Sequence, residues 1–446
     1  MSSESLTGGG TGMPVTCDQA DGHREPARTS QVMTTFADYE PFGIVPDDWW
    51  DQLRRARQAC PVAHSDRAGG FWLLTRAGDV DKILRDPRRF SSADGLTIQR
   101  HPDAPLKPPL DVDPPLHTEF RRLLNPYFAA SAIEAHSAQV AGLARGLIAR
   151  FADNGECDLL GAYARPLAAM VLGRFVLGMT DLAELLELQR QVTLIASQNT
   201  SDEARAAWLA LRRYAETMLQ DTARRPPGNG IPSALVYGRV AGRPVTHEEQ
   251  VGTLTVSVLG GLTTTADAIS RIMIQLTDDP SLEARLRAPG WVSRDLDEFL
   301  RLDCPVQWTA RTVMDPVEVG EVMLRPGDRV MLHIGSANRD DAAFDHPDRL
   351  DFERSGSRPL AFGLGPHHCI GIHLARMVVR VAFEELLVRF TGFDRDRSMP
   401  LTVYDGSSQP LPALPVTFRI RLPAIQETPT YEVRSAAGPG GRACRH

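Results

Sequence analysis

The stretch FGLGPHHCIG, Phe362 to Gly371, surrounds one cysteine with three glycines, one proline and two histidines. The residues that follow, IHLARMVVRVAFEELLVRF, have an amphipathic helical pattern, so Cys369 lies in a loop directly before a helix N-terminus. The unpaired N–H groups and partial positive charge of such a terminus favour a thiolate and predict a lowered pKa for this cysteine. Gly363 and Gly365 permit backbone conformations that are closed to other residues.

Three interpretations of this thiol are open: a catalytic nucleophile, a member of a Cys/His metal cluster, or the sole protein ligand of a larger cofactor. Neighbouring histidines favour zinc, but adjacent residues rarely both ligate one tetrahedral ion, and the sequence has no second Cys/His cluster. A cysteine hydrolase needs a base whose position in space the sequence does not give. A thiolate that ligates haem iron explains more of the glycines, because Gly371 lets a large flat group approach the helix start while Phe362 shields the sulfur from water.

The composition is that of an ordinary globular protein of 446 residues, with 42% hydrophobic and 24% charged. A formal net charge of -7 argues against a general nucleic-acid binder. Six scattered cysteines without a CxxC pair indicate a reducing compartment and therefore a cytoplasmic protein. The N-terminus lacks the apolar run of a secretory signal. The uncharged stretch from Val251 to Ala266 is too short and too rich in Thr and Gly for a membrane anchor, and predicts a buried helix that crosses the core.

Helical patterns dominate the first two thirds of the chain. From about Ala130 to Leu300, apolar residues recur at three- and four-residue intervals, as in ARGLIARFADN. After Arg301 the pattern changes to short β-prone runs separated by turn signals such as PGD, and further short strands are expected between Leu401 and Leu422. The sequence therefore predicts a mainly α protein with small β-sheets.

The cysteine loop closely resembles the proximal loop of the cytochrome P-450 family, the haem-thiolate monooxygenases, which follows the pattern F-G-x-G-x-H-x-C-x-G. All six positions are matched, by Phe362, Gly363, Gly365, His367, Cys369 and Gly371. The resemblance runs from about Tyr39 to Leu422. It implies a single-domain fold with haem b (iron protoporphyrin IX) between a long central helix and the helix after the Cys loop, and Cys369 as the ligand of the iron. It divides the chain into a disordered N-terminal tail, a haem-thiolate monooxygenase domain and a flexible C-terminal tail, at residues 1–35, 36–424 and 425–446.

A second family motif, E-x-x-R, occurs as Glu298 and Arg301 in DEFLR. Elsewhere it is a commonplace surface pair on a helix, but in the family it belongs to a buried charge network, which Arg349 in HPDRLDF is expected to complete. Charges are tolerated in a core when they are paired, and removing one partner leaves an uncompensated charge. The three residues are therefore expected to hold the haem-side core together without acting on the substrate.

Four residues are expected to meet the haem propionates. In DPPLHTEFRR, His117 and Arg121 are four residues apart and share one helix face, which in the family meets these carboxylates. The same resemblance assigns Arg311 in QWTAR and His367 to the propionates, because carboxylates prefer bidentate cationic partners.

The stretch GGLTTTADAI, which begins at Gly260, resembles the family's oxygen-binding groove, usually Ala/Gly-Gly-x-Asp/Glu-Thr. Gly260 and Gly261 are poor residues for a helix interior and indicate close approach of a flat group or a kink. Thr264 falls on the family's alcohol position, whereas Thr263 falls where the family has an acid, which puts the usual proton route in doubt. Asp267, four residues beyond Thr263, is a further catalytic candidate on the same helix face, although nothing in the sequence shows that it replaces the acid.

The family activates O2 with two electrons and two protons and oxidises a C–H bond, while the protein orients the substrate. No flavin domain follows the haem domain, so electrons from NAD(P)H are expected to arrive through separate partners, a ferredoxin and its ferredoxin reductase. Arg122, Arg376 and Arg380 are candidates for a basic docking face around the thiolate, although solvated surface charge explains each of them nearly as well.

Substrate identity is weakly encoded. The stretch from Ser91 to Val112 corresponds to the family's variable lid, and six residues are predicted to line a mixed apolar and polar pocket: Leu96, Thr97, Ile98, Val306, Gln307 and Thr309. They predict a small or medium lipophilic substrate. Terpenoids, aromatic compounds, natural-product intermediates and substrates bound to a carrier protein all stay open.

Two alternatives to O2-dependent monooxygenation also stay open. A haem-thiolate enzyme of altered outcome, driven by peroxide or catalysing coupling or rearrangement, is suggested by Thr263 in the acid position. Against it, peroxide-using relatives usually lose the alcohol as well, and Thr264 is present. A non-catalytic, haem-bound sensor would have little reason to keep Thr264 and the glycines of the groove.

Overall fold

The computed structural model describes residues 39, 43–44, 48–197, 201–356, 358–398, 404–405, 407–408 and 411–421. The predicted tails, residues 1–35 and 425–446, lie outside the described residues. The domain boundaries inferred from the sequence therefore stay predictions.

Helices dominate the described part of the chain. In chain order they are α1 (Trp49–Ala59), α2 (Ala77–Leu84), α3 (Leu116–Phe128), α4 (Ala130–Glu134), α5 (Ser137–Ile148), α6 (Arg165–Leu172), α7 (Leu182–Ser197), α8 (Asp202–Ala223), α9 (Ile231–Tyr237), α10 (His247–Leu262), α11 (Thr264–Asp278), α12 (Leu282–Arg287), α13 (Trp291–Arg294), α14 (Leu296–Leu302), α15 (Ile334–Ala337) and α16 (Ile372–Arg389). Turns of π-helix at Leu160–Ala164 and Gly173–Leu177 extend α6 at both ends. The predicted helical region from Ala130 to Leu300 is confirmed in its described residues, where short strands, turns and loops separate the helices.

The strands form small sheets beside the helices. They are β1 (Gly43–Ile44), β2 (Val62–Ser65), β3 (Phe71–Leu74), β4 (Phe90–Ser91), β5 (Glu156–Asp158), β6 (Arg239–Val240), β7 (Arg243–Pro244), β8 (Trp308–Val313), β9 (Val317–Val319), β10 (Val322–Leu324), β11 (Arg329–His333), β12 (Phe390–Asp394), β13 (Tyr404–Asp405) and β14 (Pro415–Ile420). The largest described sheet has five strands in the order β2-β3-β11-β8-β4, in which β3 and β11 pair in parallel. A three-stranded sheet has the order β12-β14-β5. The predicted fold class, mainly α with small β-sheets, is confirmed.

The uncharged stretch forms the central helix, as predicted, but in two segments. α10 begins with a capping box, in which Thr246 and Glu249 exchange side-chain-to-backbone hydrogen bonds. Arg243 pairs with Glu249 at 2.6 Å and tethers this end of the helix to β7. Thr263, with φ -103° and ψ -45°, separates α10 from α11. The kink that the two glycines suggested therefore lies just after them.

α16 holds the cysteine loop against the core. It packs on α5 and α11, and its buried side chains recur at three- and four-residue spacing, among them Leu374, Met377, Val378 and Val381. Burying one such side chain contributes about 1.5–3 kcal/mol. The amphipathic pattern seen in the sequence thus anchors the helix at whose N-terminus the loop lies.

The Glu298–Arg301 pair is buried, with side chains 7% and 0% exposed. Arg301 donates to both carboxylate oxygens of Glu298, at 2.8 and 2.9 Å, and to three backbone carbonyls, one of them that of Arg349. The expectation that the Arg349 guanidinium completes the network is wrong, because its carbonyl faces the pair and its side chain is exposed. Arg354 supplies the additional guanidinium, 3.4 Å from Glu298.

One described stretch, Leu160–Leu177, is long and apolar enough to cross a membrane, and 67% of it is buried inside the fold. A core helix has the same composition. Cys60 is disulfide-bonded, whereas Cys157, Cys304 and Cys369 are free. Disulfides are rare in reducing compartments, so the cytoplasmic localisation inferred from the cysteines stays a prediction.

Candidate active site

The cysteine loop folds back on itself. The backbone N–H of Cys369 donates to the carbonyl of Phe362 at 2.9 Å, and Gly363 and Gly365 have φ angles of 66° and 68°. A Cβ on Gly365 would lie 2.2 Å from the carbonyl oxygen of Leu84, closer than side chains tolerate. Both glycines therefore take the left-handed conformation expected of them, and Gly365 also lets α2 approach the loop.

The pKa of the Cys369 thiol differs from the lowered value that the sequence predicted. Burial raises the pKa of the Cys369 thiol, while a backbone hydrogen bond from Gly371 and the charge of Arg121 act in the opposite direction. The predicted lowering is therefore wrong for the polypeptide alone. A bound metal ion deprotonates a coordinating thiol outright, so a metal would make this sulfur a thiolate. Among the described residues there is no group of three or more His, Cys, Asp or Glu that fits a metal ion, which leaves the zinc interpretation without support.

A cavity of about 470 Å³ lies between the cysteine loop and the central helix. Cys369, Phe362 and Gly371 line one side of it, and residues of α10 and α11 line the other. Its volume suits a small organic ligand. Most of the lining is apolar and comes from distant parts of the chain, including Leu124, Leu172, Val192, Ile195, Leu296 and Val379.

Four side chains, named here the propionate group, line the cavity: His117, Arg121, Arg311 and His367. The ring centroids of His117 and His367 are 4.4 Å apart. Arg311 is 3% exposed, and burial lowers its pKa to about 10. Burial and then the charge of Arg311 lower the pKa of His367 to about 3, so its ring is neutral near pH 7. The residues predicted from distant stretches of sequence to act together therefore lie in one cavity.

None of the four side chains of the propionate group forms an ion pair with a carboxylate among the described residues. Arg311 donates to the hydroxyl of Thr309 and the carbonyl of Ala310 and forms no ion pair with a described residue. Neither ring nitrogen of His117 has a hydrogen-bond partner in the described chain, and burial and then the charge of Arg121 lower the pKa of this ring. Buried charges without partners are costly. A flat cofactor that carries carboxylates and an iron for the cysteine removes this cost, so the residues fit haem.

The hydroxyl of Thr264 donates to the carbonyl of Gly260 at 2.8 Å, and both residues line the cavity. A Cβ on Gly260 would meet open space, so this glycine leaves room beside the helix. A Cβ on Gly261 would lie 2.5 Å from Leu172 of α6. Both glycines line the cavity, but only Gly260 leaves open space beside the helix, because Gly261 also makes room for Leu172 of α6.

The break at Thr263 is tied to α7. The side-chain amide of Gln189 donates to the carbonyl of Leu262, the last residue of α10. Gln189 is buried, and its helix also supplies cavity-lining side chains. A displacement of α7 therefore acts directly on the backbone beside Thr263 and Thr264.

Asp267 does not line the cavity. It is 3% exposed, and burial raises its pKa to about 7 against the opposing charges of Arg271 and Arg165. The backbone N–H of Asp267 donates to the carbonyl of Thr263 at 2.9 Å, so the two residues keep the helical i, i+4 relation that was expected. Only Thr263 lines the cavity, because the Asp267 side chain is buried outside its wall. No Asp or Glu of the described residues lines the cavity at all.

Four of the six predicted pocket residues line the cavity, namely Leu96, Thr97, Val306 and Thr309. Ile98 and Gln307 do not, which corrects their assignment. Ile98 packs in a cluster with Trp308, and Gln307 is fully buried and donates to the carbonyl of Cys304 at 2.6 Å. Gln307 follows a lining residue directly before β8, and successive side chains of an extended chain point to opposite sides, whereas Ile98 lies in the bent segment of residues 96–99.

The arginines considered for docking are already paired. Arg122, Arg376 and Arg380 each form an ion pair with a nearby carboxylate, at 2.5, 2.5 and 2.7 Å. Their charges are therefore partly neutralised, and the structure does not distinguish them from ordinary surface pairs.

Several lining residues were not found by sequence reasoning: Arg100, His101, Lys107, Val192, Ile195 and Trp208. The first three lie inside the predicted lid, and their place in that stretch was the only indication in the sequence that they border the cavity. The others belong to α7 and α8, whose amphipathic patterns show which face is buried but not that part of that face borders a cavity.

Comparisons with known proteins agree with this geometry. A family model described as Cytochrome P450 matches residues 293–417. Linalool 8-monooxygenase of Pseudomonas putida is 30% identical over 368 residues, which cover 78% of this chain and 90% of that protein. Cyclomarin C epoxidase CymV of Salinispora arenicola is 30% identical over 367 residues, 79% of this chain and 91% of that protein. The structure of a mutant of P450 EryK in complex with erythromycin B superposes with a TM-score of 0.73 at 29% identity, covering 83% of this chain and 95% of that one.

Proposed function

This chain belongs to the cytochrome P450 family of haem-dependent oxidoreductases, and from that premise we propose that it uses O2 to oxidise a small or medium lipophilic molecule. The observation that carries the proposal is the pairing of two features in one cavity. The Cys369 loop lines one side, and the Thr264 hydroxyl, bound to the carbonyl of Gly260, lines the other. In this proposal the Thr264 hydroxyl is the hydrogen-bonding group of the wall that faces the Cys369 loop.

Each site residue has a role in this proposal. Bound haem supplies the activation of O2 and the oxidising power for a C–H bond. Cys369 holds its iron, and the propionate group binds its carboxylates. The hydroxyl of Thr264 both donates and accepts hydrogen bonds, so it keeps a proton in the groove. Thr263 does not ionise near neutral pH and orders water instead.

The apolar lining supports a lipophilic substrate. Cavity-lining side chains such as Val192, Ile195 and Leu296 exclude water from the substrate and orient it by shape. The names of two relatives, a linalool 8-monooxygenase and a cyclomarin C epoxidase, support an oxidation in catabolism or secondary metabolism.

Electrons reach the haem, in this proposal, from NAD(P)H through a ferredoxin reductase and a ferredoxin. The enzyme then works in the cytoplasm, where these carriers are kept reduced.

Isotope labelling tests the proposal. The haem-loaded protein is screened for substrates by the low-spin to high-spin change of its absorption spectrum, and each ligand found is then incubated with NADPH, ferredoxin, reductase and ¹⁸O2. We expect one labelled oxygen atom in the product. Turnover without any label from O2 would contradict the proposal.

A peroxide-driven or otherwise altered reaction is the second candidate. It is favoured by Thr263 at the acid position together with the exclusion of Asp267 from the cavity wall. Product formed as fast with hydrogen peroxide alone as with O2 and the reductase system would support it. Coupled or rearranged products without added oxygen would instead support a haem-thiolate enzyme that catalyses coupling or rearrangement.

A further inference from the structure

A second set of polar side chains lines the cavity, on elements that carry none of the propionate group. It consists of Arg100, His101 and Lys107, from the segment before α3, and Trp208 of α8, and is named here the donor cluster. The ammonium of Lys107 lies 5.6 Å from the centroid of the Trp208 ring. The rings of His101 and Trp208 are 6.4 Å apart. Lys107, His101 and Trp208 therefore share one part of the wall, and Arg100 directly precedes His101 in the chain.

Every member of the donor cluster presents hydrogen-bond donors. The backbone N–H of Asp103 donates to Nδ1 of His101 at 3.1 Å, so the neutral ring carries its own hydrogen on Nε2. The indole N–H of Trp208 is buried and has no hydrogen-bond partner in the described chain. Arg100 donates to the carbonyl of Ala104 at 2.9 Å and has further N–H groups to offer. The cluster therefore suits a ligand group that accepts several hydrogen bonds.

The charge balance of the wall points to an anion. Lys107 is paired with the buried Asp111 at 2.5 Å, and Arg121 and Arg311 belong to the propionate group. Arg100 remains, half-buried and without an ion pair to any described residue. Since no described Asp or Glu lines the cavity, an anionic ligand group would be the first carboxylate available to Arg100 inside it. The low dielectric of an apolar cavity strengthens the attraction between two such charges.

Gly252 shows where the donor cluster lies along the central helix. A Cβ on Gly252 would lie 1.7 Å from the carbonyl oxygen of Leu106, so the segment that carries the cluster crosses α10 at this point. Gly260 follows eight residues later, which corresponds to about 12 Å along an α-helix. The donor cluster and the groove at Thr264 therefore lie at separate positions along one cavity wall.

We propose that the substrate is an amphiphilic carboxylic acid, whose carboxylate binds the donor cluster and whose apolar body reaches about 12 Å towards Thr264. This inference rests on the proposed function, because it names the substrate class of that site. Arg100 supplies a charge-assisted hydrogen bond, which is stronger than a neutral one. Trp208 supplies a neutral N–H that is otherwise buried without a partner. Oxidation then falls on the end of the molecule remote from its acid group.

Binding measured without O2 or electrons tests the inference. Decanoic, citronellic and 4-phenylbutyric acids, each with its own primary amide, are titrated into the haem-loaded protein, and Kd is measured by the Soret shift and by calorimetry. In at least one pair the acid binds about tenfold or more tightly than the amide, as expected for a hydrogen bond to a charged group. Arg100→Gln removes this preference, because it weakens binding of the acid more than binding of the amide. Trp208→Phe weakens both members of the pair by about twofold to tenfold.

Arg212→Gln is the matched control. Arg212 also belongs to α8, but it pairs with Glu216 and Glu248 and does not line the cavity, so this variant keeps the preference for acids. Thermal melts and the Soret band verify that each variant is folded. The inference is overturned if no acid binds, if the amides bind as tightly in all three pairs, or if the preference survives Arg100→Gln. A failure of the proposed function appears separately, as a bound acid that acquires no label from ¹⁸O2.

Discussion

Removing the carboxylate of Glu298 tests how the core beneath the haem site is held. Glu298 accepts hydrogen bonds from Arg301 at 2.8 and 2.9 Å and from the backbone N–H of Asp351 at 2.8 Å. In Glu298→Ala the fully buried guanidinium of Arg301 keeps its carbonyl partners but loses its paired carboxylate. Breaking a buried ion pair in this way costs about 3–5 kcal/mol, out of a total stability of about 5–15 kcal/mol for an ordinary domain. We expect little folded, haem-loaded protein.

Three milder variants separate the contributions of Glu298, Arg354 and Arg349 to the stability of the fold. Glu298→Gln keeps the shape and one acceptor oxygen, so we expect a loss of about 1.5–3 kcal/mol, the value of a hydrogen bond to a charged group. Arg354→Ala removes the contact of 3.4 Å and the hydrogen bonds to the carbonyls of Asp345 and Arg349. Because this side chain is only 10% exposed, the loss should be about 1–3 kcal/mol. Arg349→Ala keeps the backbone carbonyl that Arg301 uses and removes an exposed side chain, so the change should stay within about 0.5 kcal/mol.

Urea unfolding, followed by far-ultraviolet circular dichroism and by the Soret band, measures the free energy of unfolding of each variant. Arg349→Ala is the control for the general effect of removing an arginine from this loop. A well-folded, haem-loaded Glu298→Ala protein that differs only in its products would refute the structural role. Destabilisation by Arg349→Ala as large as that by Glu298→Gln would refute the assignment of the network to Arg354.

Four further substitutions address the site. Cys369→His should abolish the long-wavelength Soret band of the reduced carbon-monoxide complex, and a surviving band would mean that another residue holds the iron. Thr264→Ala removes the hydroxyl that donates to Gly260 and should release more peroxide and less product per electron pair; less product without extra peroxide would indicate a role in substrate positioning. Thr263→Asp should speed O2 consumption where a missing acid limits proton delivery, and an unchanged turnover and solvent isotope effect would exclude that limit. Gln189→Leu frees the carbonyl of Leu262 and should lower the ratio of product to peroxide while the carbon-monoxide spectrum stays unchanged. An unchanged ratio would mean that the hydrogen bond from Gln189 to Leu262 serves packing and has no effect on the reaction.

Features that depend on neighbours in sequence were predictable. Gly363 and Gly365 have positive φ angles because the loop must return its chain to Phe362 before α16 begins. The amphipathic pattern after Cys369 placed the helix correctly, since its spacing alone identifies the buried face. The family pattern added the partners from other stretches, and the structure brings His117 and Arg311 into the same cavity as the cysteine.

Features that depend on the path of the chain between elements were not predictable. Arg349 and Arg354 are five residues apart in one loop, and only the turn of that loop decides which side chain reaches Glu298. Asp267 keeps its helical relation to Thr263, yet its side chain lies outside the cavity wall, and only the packing around α11 decides this. Trp208 was missed for a related reason, because an amphipathic helix buries its core-facing and cavity-facing side chains alike.

The distribution of charge in the cavity constrains how protons reach the groove. The described wall carries Arg100, Lys107, Arg121 and Arg311 but no carboxylate. A substrate carboxylate at the donor cluster would lie about 12 Å along α10 from Gly260, too far to exchange a proton directly with the groove. Asp267, with its pKa raised to about 7 by burial, titrates in a useful range but lies outside the wall. Proton delivery is therefore expected to depend on the hydroxyl groups of Thr263 and Thr264 and on water held between them, so an acid introduced at position 263 would be the first carboxylate of this wall.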